Sequence, residues 1–216
     1  MLTAKNNDET STLVAQLLLD LGAVQISPHR PFTYASGLRG PIYCDNRQIW
    51  SEVNCRDKII KIFLERINSL HLNYDLLAGL ATAGIPHGAI LADHLKKPFI
   101  YIRSKAKDHG KQNQIEGKYS PGQKIILVED LVNQGKSLGE AILAAQKAGL
   151  IVVAALCIVD YQMEDVQKLL SEIKIPLHSL THFTSLVATA CSLKLVDEEG
   201  RDMLLKWQKS PKTWAP

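Results

Sequence analysis

The chain has 216 residues, 46% of them hydrophobic and 22% charged, enough for one sizeable core with at most a small appended element. A formal net charge of +3 is too small to argue for a nucleic-acid or membrane surface, and no run approaches the ~18 apolar residues of a membrane span. The amino end has no basic region leading into an apolar signal segment, and Cys44, Cys55, Cys157 and Cys191 form no C-x-x-C pair, so reduced thiols and a cytoplasmic location are expected rather than disulfides or a zinc site.

Taken in chain order, residues 10–21 have the apolar spacing of an amphipathic helix, with Thr10 or Ser11 available as its cap. A strand-and-turn region follows over 24–47, with turn chemistry at Ser36-Gly37 and Gly40-Pro41. Residues 53–70 read as a second helix, apolar at Ile59, Ile60, Phe63, Leu64 and Ile67. Next come a strand at 76–79, a loop at 80–85, a helix at 86–94, a strand at 99–102 and a long polar segment over 101–117. A strand at 125–128, a helix at 138–148, a strand at 151–159, a helix at 163–173 and an apolar stretch at 178–180 complete the pattern. Strands alternating with helices predict an α/β fold built on a doubly wound parallel sheet with right-handed crossovers. No internal repeat or low-complexity linker divides the chain, so residues 1–216 read as one domain, with 1–50 as an amino-terminal addition.

The most informative stretch is IILVEDLVNQGKS over 125–137. Its four apolar residues suit a strand buried on both faces, which delivers Glu129 and Asp130 to the carboxyl edge where open α/β sheets bind ligands. The loop beyond leads to a helix whose free N–H groups and positive dipole end favour an anion. Gly135-Lys136-Ser137 spells the ending of a nucleotide-triphosphate loop, but the first glycine of that motif falls on Asp130, whose carboxylate would repel phosphate. A ribose 5-phosphate fits better. Carboxylates accept hydrogen bonds from the 2- and 3-hydroxyls, while amides and hydroxyls of Leu131, Val132, Asn133, Gln134, Gly135, Lys136 and Ser137 hold the phosphate. Read alone, the acid pair serves equally well as a solvated turn after a core strand.

Two further segments carry anion chemistry. Ala81, Thr82, Ala83 and Gly84 remove side-chain bulk where a strand hands over to a helix, so backbone N–H groups there can receive a diphosphate; close helix packing would select the same small residues. The segment 101–117 carries Arg103, Lys105, Lys107, His109 and Lys111, with Gly110, Asn113 and Gly117 to let it move, which suits a movable arm that meets a diphosphate leaving group, and equally a solvated charged face.

These blocks resemble type I phosphoribosyltransferases, and among them the orotate phosphoribosyltransferase family. The acid pair and loop are similar to the motif that binds phosphoribosyl diphosphate (PRPP), ATAGIPH to the diphosphate loop, and K-x-K-D-H-G followed by I-E-G to the mobile catalytic loop. The block FTYASGLRGPIYCDNR, 32–47, is similar to a hood over the base. The resemblance implies a type I phosphoribosyltransferase fold with a small amino-terminal hood formed within residues 1–50. Its implied catalytic residues are Lys107, His109 and Asp130; PRPP would be held by Arg103, Lys105, Lys107, His109 and residues 129–137, and orotate by Tyr34, Asn133 and Tyr161. It also implies Mg²⁺ as cofactor, with no dedicated protein cage for the metal, and a homodimer in which the mobile loop reaches the neighbouring subunit's site. Orotate transfer is the implied reaction; a transferase for another base and a non-catalytic PRPP-binding regulator are the alternatives. Several positions depart from the family pattern: Asn133, Gln134 and Lys136 stand where Thr, Ala, Gly or Ser are usual, Ala35 and Ser104 where some branches carry Lys, Gly40 for Ser, and Tyr161 for an Arg.

Overall fold

The computed structural model describes residues 2–34, 36–104 and 114–214, and side chains from residue 8 onward. Helix α1 (Leu2–Leu21) precedes a small antiparallel region in which β1 (Val24–Ile26) pairs with β4 (Ile42–Cys44) and β2 (Phe32–Thr33) with β3 (Arg39–Gly40). A 3-10 turn (Asn46–Trp50) leads into α2 (Val53–Ser69). The chain then alternates through β5 (Leu76–Leu80), α3 (Gly84–Leu95), β6 (Phe99–Ile102), β7 (Ile115–Glu116), β8 (Lys124–Val128) and β9 (Leu131–Val132). It continues through α4 (Lys136–Lys147), β10 (Ile151–Asp160), α5 (Glu164–Ile173), β11 (Leu177–His182), α6 (Phe183–Ser192) and α7 (Glu198–Lys209).

The large sheet has the order β11-β10-β8-β5-β6-β7, parallel throughout except for β7, which runs antiparallel to β6. Its middle strands are covered on both faces: Ile125, Ile126, Leu127 and Val128 of β8 and Leu76, Leu77 and Ala78 of β5 are fully buried. That explains why both read as unbroken apolar runs rather than alternating ones. From β5 the chain moves one way to β6 and the other way to β8, so the winding reverses between β5 and β8, and the doubly wound expectation holds.

The departures from expectation have local causes. Helix α1 begins eight residues before Thr10, because residues 2–9 are polar and carry no apolar stripe to announce a helix. Ser11 is therefore no cap. It is buried, and its hydroxyl lies 3.2 Å from Thr181 Oγ1 and 2.9 Å from Ser185 Oγ, joining α1 to β11 and α6. The segment 101–117 is not wholly a loop, since Ile115 and Glu116 return as β7 against β6. Helices α6 and α7 had no counterpart in the sequence reading. The first has no charged residue to set off an apolar face, and the second buries only Gly200, Leu204 and Trp207, although its Asp197 cap, early Glu198 and Glu199, and late Lys206 and Lys209 are sound terminus signals.

Gly84, the first residue of α3, sits against the end of β8. A Cβ there would run into the Val128 carbonyl and lie 3.2 Å from Glu129 Cα, and both neighbours are backbone that cannot swing aside. Gly84→Ala is therefore expected to lower unfolding free energy by roughly 1–3 kcal/mol, the range for overpacking a tight core. Denaturant unfolding of the purified variant measures this; wild-type stability would show that the contact yields easily.

Candidate active site

Strand β8 ends at Val128 and β9 begins at Leu131, and both pair with β10, so Glu129 and Asp130 form a two-residue kink between paired strands. The kink is fixed by its own backbone. Glu129 N–H donates to Leu156 O at 2.9 Å, and Asp130 O accepts from Ile158 and Val159 N–H at 3.2 and 3.1 Å. It is fixed from the hood as well, because fully buried Asn46 donates Nδ2 to Asp130 O at 3.1 Å. Asn46 escaped the sequence reading; an amide at the start of a 3-10 turn gives no sign that it reaches a residue 84 positions away.

Beyond the kink the loop enters α4 through Gly135, which has φ of +73° and serves as the N-cap. Residues 134–138 bring the N-terminus of α4 to the wall of a cleft of about 330 Å³, whose lining also includes Glu129, Leu131, Val132 and Asn133. Lys136 and Ser137 are exposed on that wall. The usual small residues are absent, yet the turn keeps its shape because Gly135 supplies the one left-handed position it requires.

Ala81, Thr82 and Ala83 form the turn between β5 and α3, on the other side of the point where the winding reverses. Ala81 N–H is held by Ile102 O at 2.8 Å, and the Ala81–Thr82 peptide is cis. Gly84 brings this turn against the acid kink, so the two candidate anion loops lie side by side. His87, one turn into α3, is buried and accepts a hydrogen bond at Nε2 from Trp50 Nε1 at 3.2 Å, which puts its own proton on Nδ1. Burial pushes its pKa down to about 4, with the Asp130 charge pulling the other way.

The hood supplies Tyr34, Ser36 and Leu38 to the cleft. Tyr34 donates its hydroxyl to Ile42 O at 2.6 Å and lies over Gly40, where a Cβ would overlap the phenol oxygen. That overlap is a physical reason for glycine at 40 in place of serine. Tyr161, the other aromatic expected at the base, does not line the cleft. It is 3% exposed and packed edge-on against Phe183 and Trp207, because β10 runs on into the core to Asp160 and carries the next residue inward. Trp207 and Pro211, which the sequence reading passed over, line the cleft instead.

Arg103 stands at the stem of the polar segment, bonded through its backbone N–H to Gln114 O at 2.8 Å and placed 3.8 Å from the Glu116 carboxylate. Lys105, Lys107 and His109, expected to meet a diphosphate, lie outside the described residues. The structure thus brings together Tyr34, Glu129, Asn133, Gln134, Gly135, Lys136 and Ser137 on one cleft, with the 81–84 turn beside the kink. A parallel sheet with two phosphate-suited loops at its reversal point, one behind an acid pair, defines a phosphosugar-handling enzyme domain.

Comparison with known proteins agrees. Residues 48–177 match the phosphoribosyl transferase domain family. An orotate phosphoribosyltransferase of Coxiella burnetii is 45% identical, covering 95% of this chain and 99% of that one, and one of Lactococcus lactis is 42% identical over 94% and 98%. The crystal structure of orotate phosphoribosyltransferase from Aeropyrum pernix superposes with a TM-score of 0.70 at 26% identity, covering 82% of this chain and 99% of that one. The chain belongs to the orotate phosphoribosyltransferase family.

Burial, then hydrogen bonding to Asp130 and its negative charge, raise the Glu129 pKa well above the ordinary value of 4.5. The unfolded chain releases this proton near 4.5 while the folded chain retains it, so Glu129 makes stability decline as pH rises above 4.5 towards its raised value. His87 acts oppositely, adding stability as pH rises from about 4 to 6.5, so the glutamate contribution is read above that window. Glu129→Gln, a neutral isostere, is expected to flatten the decline between about pH 7 and 9, measured by urea midpoints of both proteins. Parallel pH profiles would show that Glu129 ionises normally.

Proposed function

We propose that this chain transfers the 5-phosphoribosyl group of PRPP to N1 of orotate, giving orotidine 5'-monophosphate and diphosphate in pyrimidine nucleotide synthesis. The observation that carries this reading is the convergence of the 81–84 turn and the acid kink at the sheet's reversal point, enforced by Gly84. The names of the 45% and 42% identical relatives support the choice of base.

In this reading the 5-phosphate sits at the N-terminus of α4, where the free N–H groups and helix dipole favour an anion and Lys136 adds a cation. The diphosphate takes the backbone N–H groups of Thr82, Ala83 and Gly84, since Ala81 N–H is held by Ile102 O. Glu129 and Asp130 lie between the two and hydrogen-bond the ribose hydroxyls. As the bond from the anomeric carbon to the diphosphate oxygen breaks, positive charge grows on the ribose and negative charge on the leaving group; Asp130 favours the first, and Arg103, Lys105, Lys107 and His109 the second. Orotate N1 gives up its proton to an oxygen of the departing diphosphate and forms the new bond to the anomeric carbon, with the base lying between Tyr34 and the Leu131–Val132 strand.

Among the described residues no three metal-ligating side chains converge, whereas the adjacent carboxyl groups of Glu129 and Asp130 immediately precede a phosphate-suited loop. This donor set fits an ion bound mostly by substrate oxygens and water, with Glu129 and Asp130 at its outer side. Mg²⁺ bound this way would neutralise charge on the diphosphate. The proposal extends to a homodimer whose cationic segment serves the neighbouring site, and to the cytoplasm, where the four free thiols would persist.

Purified protein with PRPP, Mg²⁺ and orotate is expected to consume orotate and release diphosphate, whereas purine bases are expected to leave PRPP intact. Turnover of a purine instead would make it a transferase for another base; tight PRPP binding without diphosphate release from any base would make it a regulator. Lys107→Ala should lower kcat by about two to three decades, equal to roughly 3–4 kcal/mol of lost charge stabilisation. A near-normal rate would remove this lysine from the chemistry. Mixing Lys107→Ala with Asp130→Asn protein should restore activity if the segment acts across subunits, since mixed dimers then hold one intact site; no recovery would argue for action within one chain.

A further inference from the structure

Trp207 is the one residue of α7 that reaches the cleft, and it is 2% exposed. Its indole Nε1 is buried with no acceptor among the described residues. Indole N–H is a donor only, and buried donors in folded proteins are almost always matched, so an orphan at the wall of a binding cleft points to an acceptor that arrives with the ligand. The ring has little freedom to seek another partner. Tyr161 packs edge-on against it at 5.8 Å and Phe183 lies 5.8 Å away, while Gln208 Nε2 donates to Tyr161 O at 2.8 Å and ties the helix to the end of β10.

The same cleft holds a second orphan of opposite kind, the buried Oδ1 of Asn133. A donor and an acceptor left unmatched on one cavity, with the Tyr34 ring and the Leu131 and Val132 side chains between polar groups, describe a site for a flat heterocycle carrying both a carbonyl oxygen and a ring N–H. The cyclic imide edge of a pyrimidine-dione has that pattern. A purine amine edge would offer Trp207 a donor and leave the orphan unmatched.

Resting on the reading of this cleft as the base site, we infer that Trp207 is a specificity-determining residue whose Nε1–H donates to a carbonyl oxygen of the pyrimidine ring, while Asn133 Oδ1 accepts from a ring N–H. The carboxyl-terminal helix thereby reads the base, a role that Tyr161 cannot fill from its buried place.

Trp207→Phe keeps an aromatic ring in the cluster and removes the donor together with part of the indole's bulk. The KM for orotate is expected to rise roughly tenfold, the size of one lost hydrogen bond, while the KM for PRPP moves less than twofold. An unchanged orotate KM, or equal rises in both constants together with a lowered melting temperature, would overturn the assignment. Should the variant fail to fold, the unsubstituted protein supplies the second reading. Its three tryptophans give three indole N–H resonances, with Trp207 assigned by elimination through Trp50→Phe and Trp214→Phe. Adding orotidine 5'-monophosphate is expected to move the Trp207 resonance downfield and slow its exchange with solvent; no change would overturn the proposal. Absence of orotate turnover in the unsubstituted protein is a separate outcome, which overturns the functional reading and the assignment of Trp207 with it.

Discussion

The contact between Gly84 and the carboxyl end of β8 is the constraint on which the rest of the site depends. Strands β5 and β8 lie side by side, with Gly79 opposite Val128, so the turns that leave them must emerge next to each other. Ordinary side chains would hold those turns apart. With hydrogen alone at position 84, the first turn of α3 settles on the Val128 carbonyl, and the 81–84 turn lies against the acid kink. Tightness here is a packing requirement that sets the two turns side by side.

The acid pair illustrates how a short sequence feature acquires chemistry only from its surroundings. Two adjacent carboxylates in a loop would both be solvated and ionised. Here the chain stays bonded to β10 on both sides of them, which buries Glu129 and leaves Asp130 half-buried near His87. Neutral His87 adds no positive charge beside Asp130, and the Asn46 amide fixes the kink from the hood side. The amino-terminal region is thus joined to the acid loop by a buried hydrogen bond as well as by chain connectivity.

Much of this was legible in the sequence because the signals were local. Uninterrupted apolar runs marked β5 and β8, the acid pair followed them directly, and the small residues at 81–84 announced a close backbone approach. What escaped depended on distant partners. Trp207 is separated by more than seventy residues from Glu129, which shares its cleft, and α7 has too thin an apolar stripe to suggest that it closes anything. The resemblance puts Tyr161 where some branches carry an orotate-binding Arg, but the unbroken buried run of β10 from Ala154 to Asp160 carries it into the core beside Phe183 and Trp207. Ser11 reads equally well as a helix cap or as a buried linker, and only the arrival of Thr181 and Ser185 decides between them.

Tyr34 and Gly40 occupy the same space in succession: the phenol reaches Ile42 O only by crossing the place where a side chain at 40 would begin. The two positions are consequently not free to drift independently. Any side chain introduced at 40 would have to expel the phenol from its bond to Ile42 O, so a change at either position is felt at once at the other.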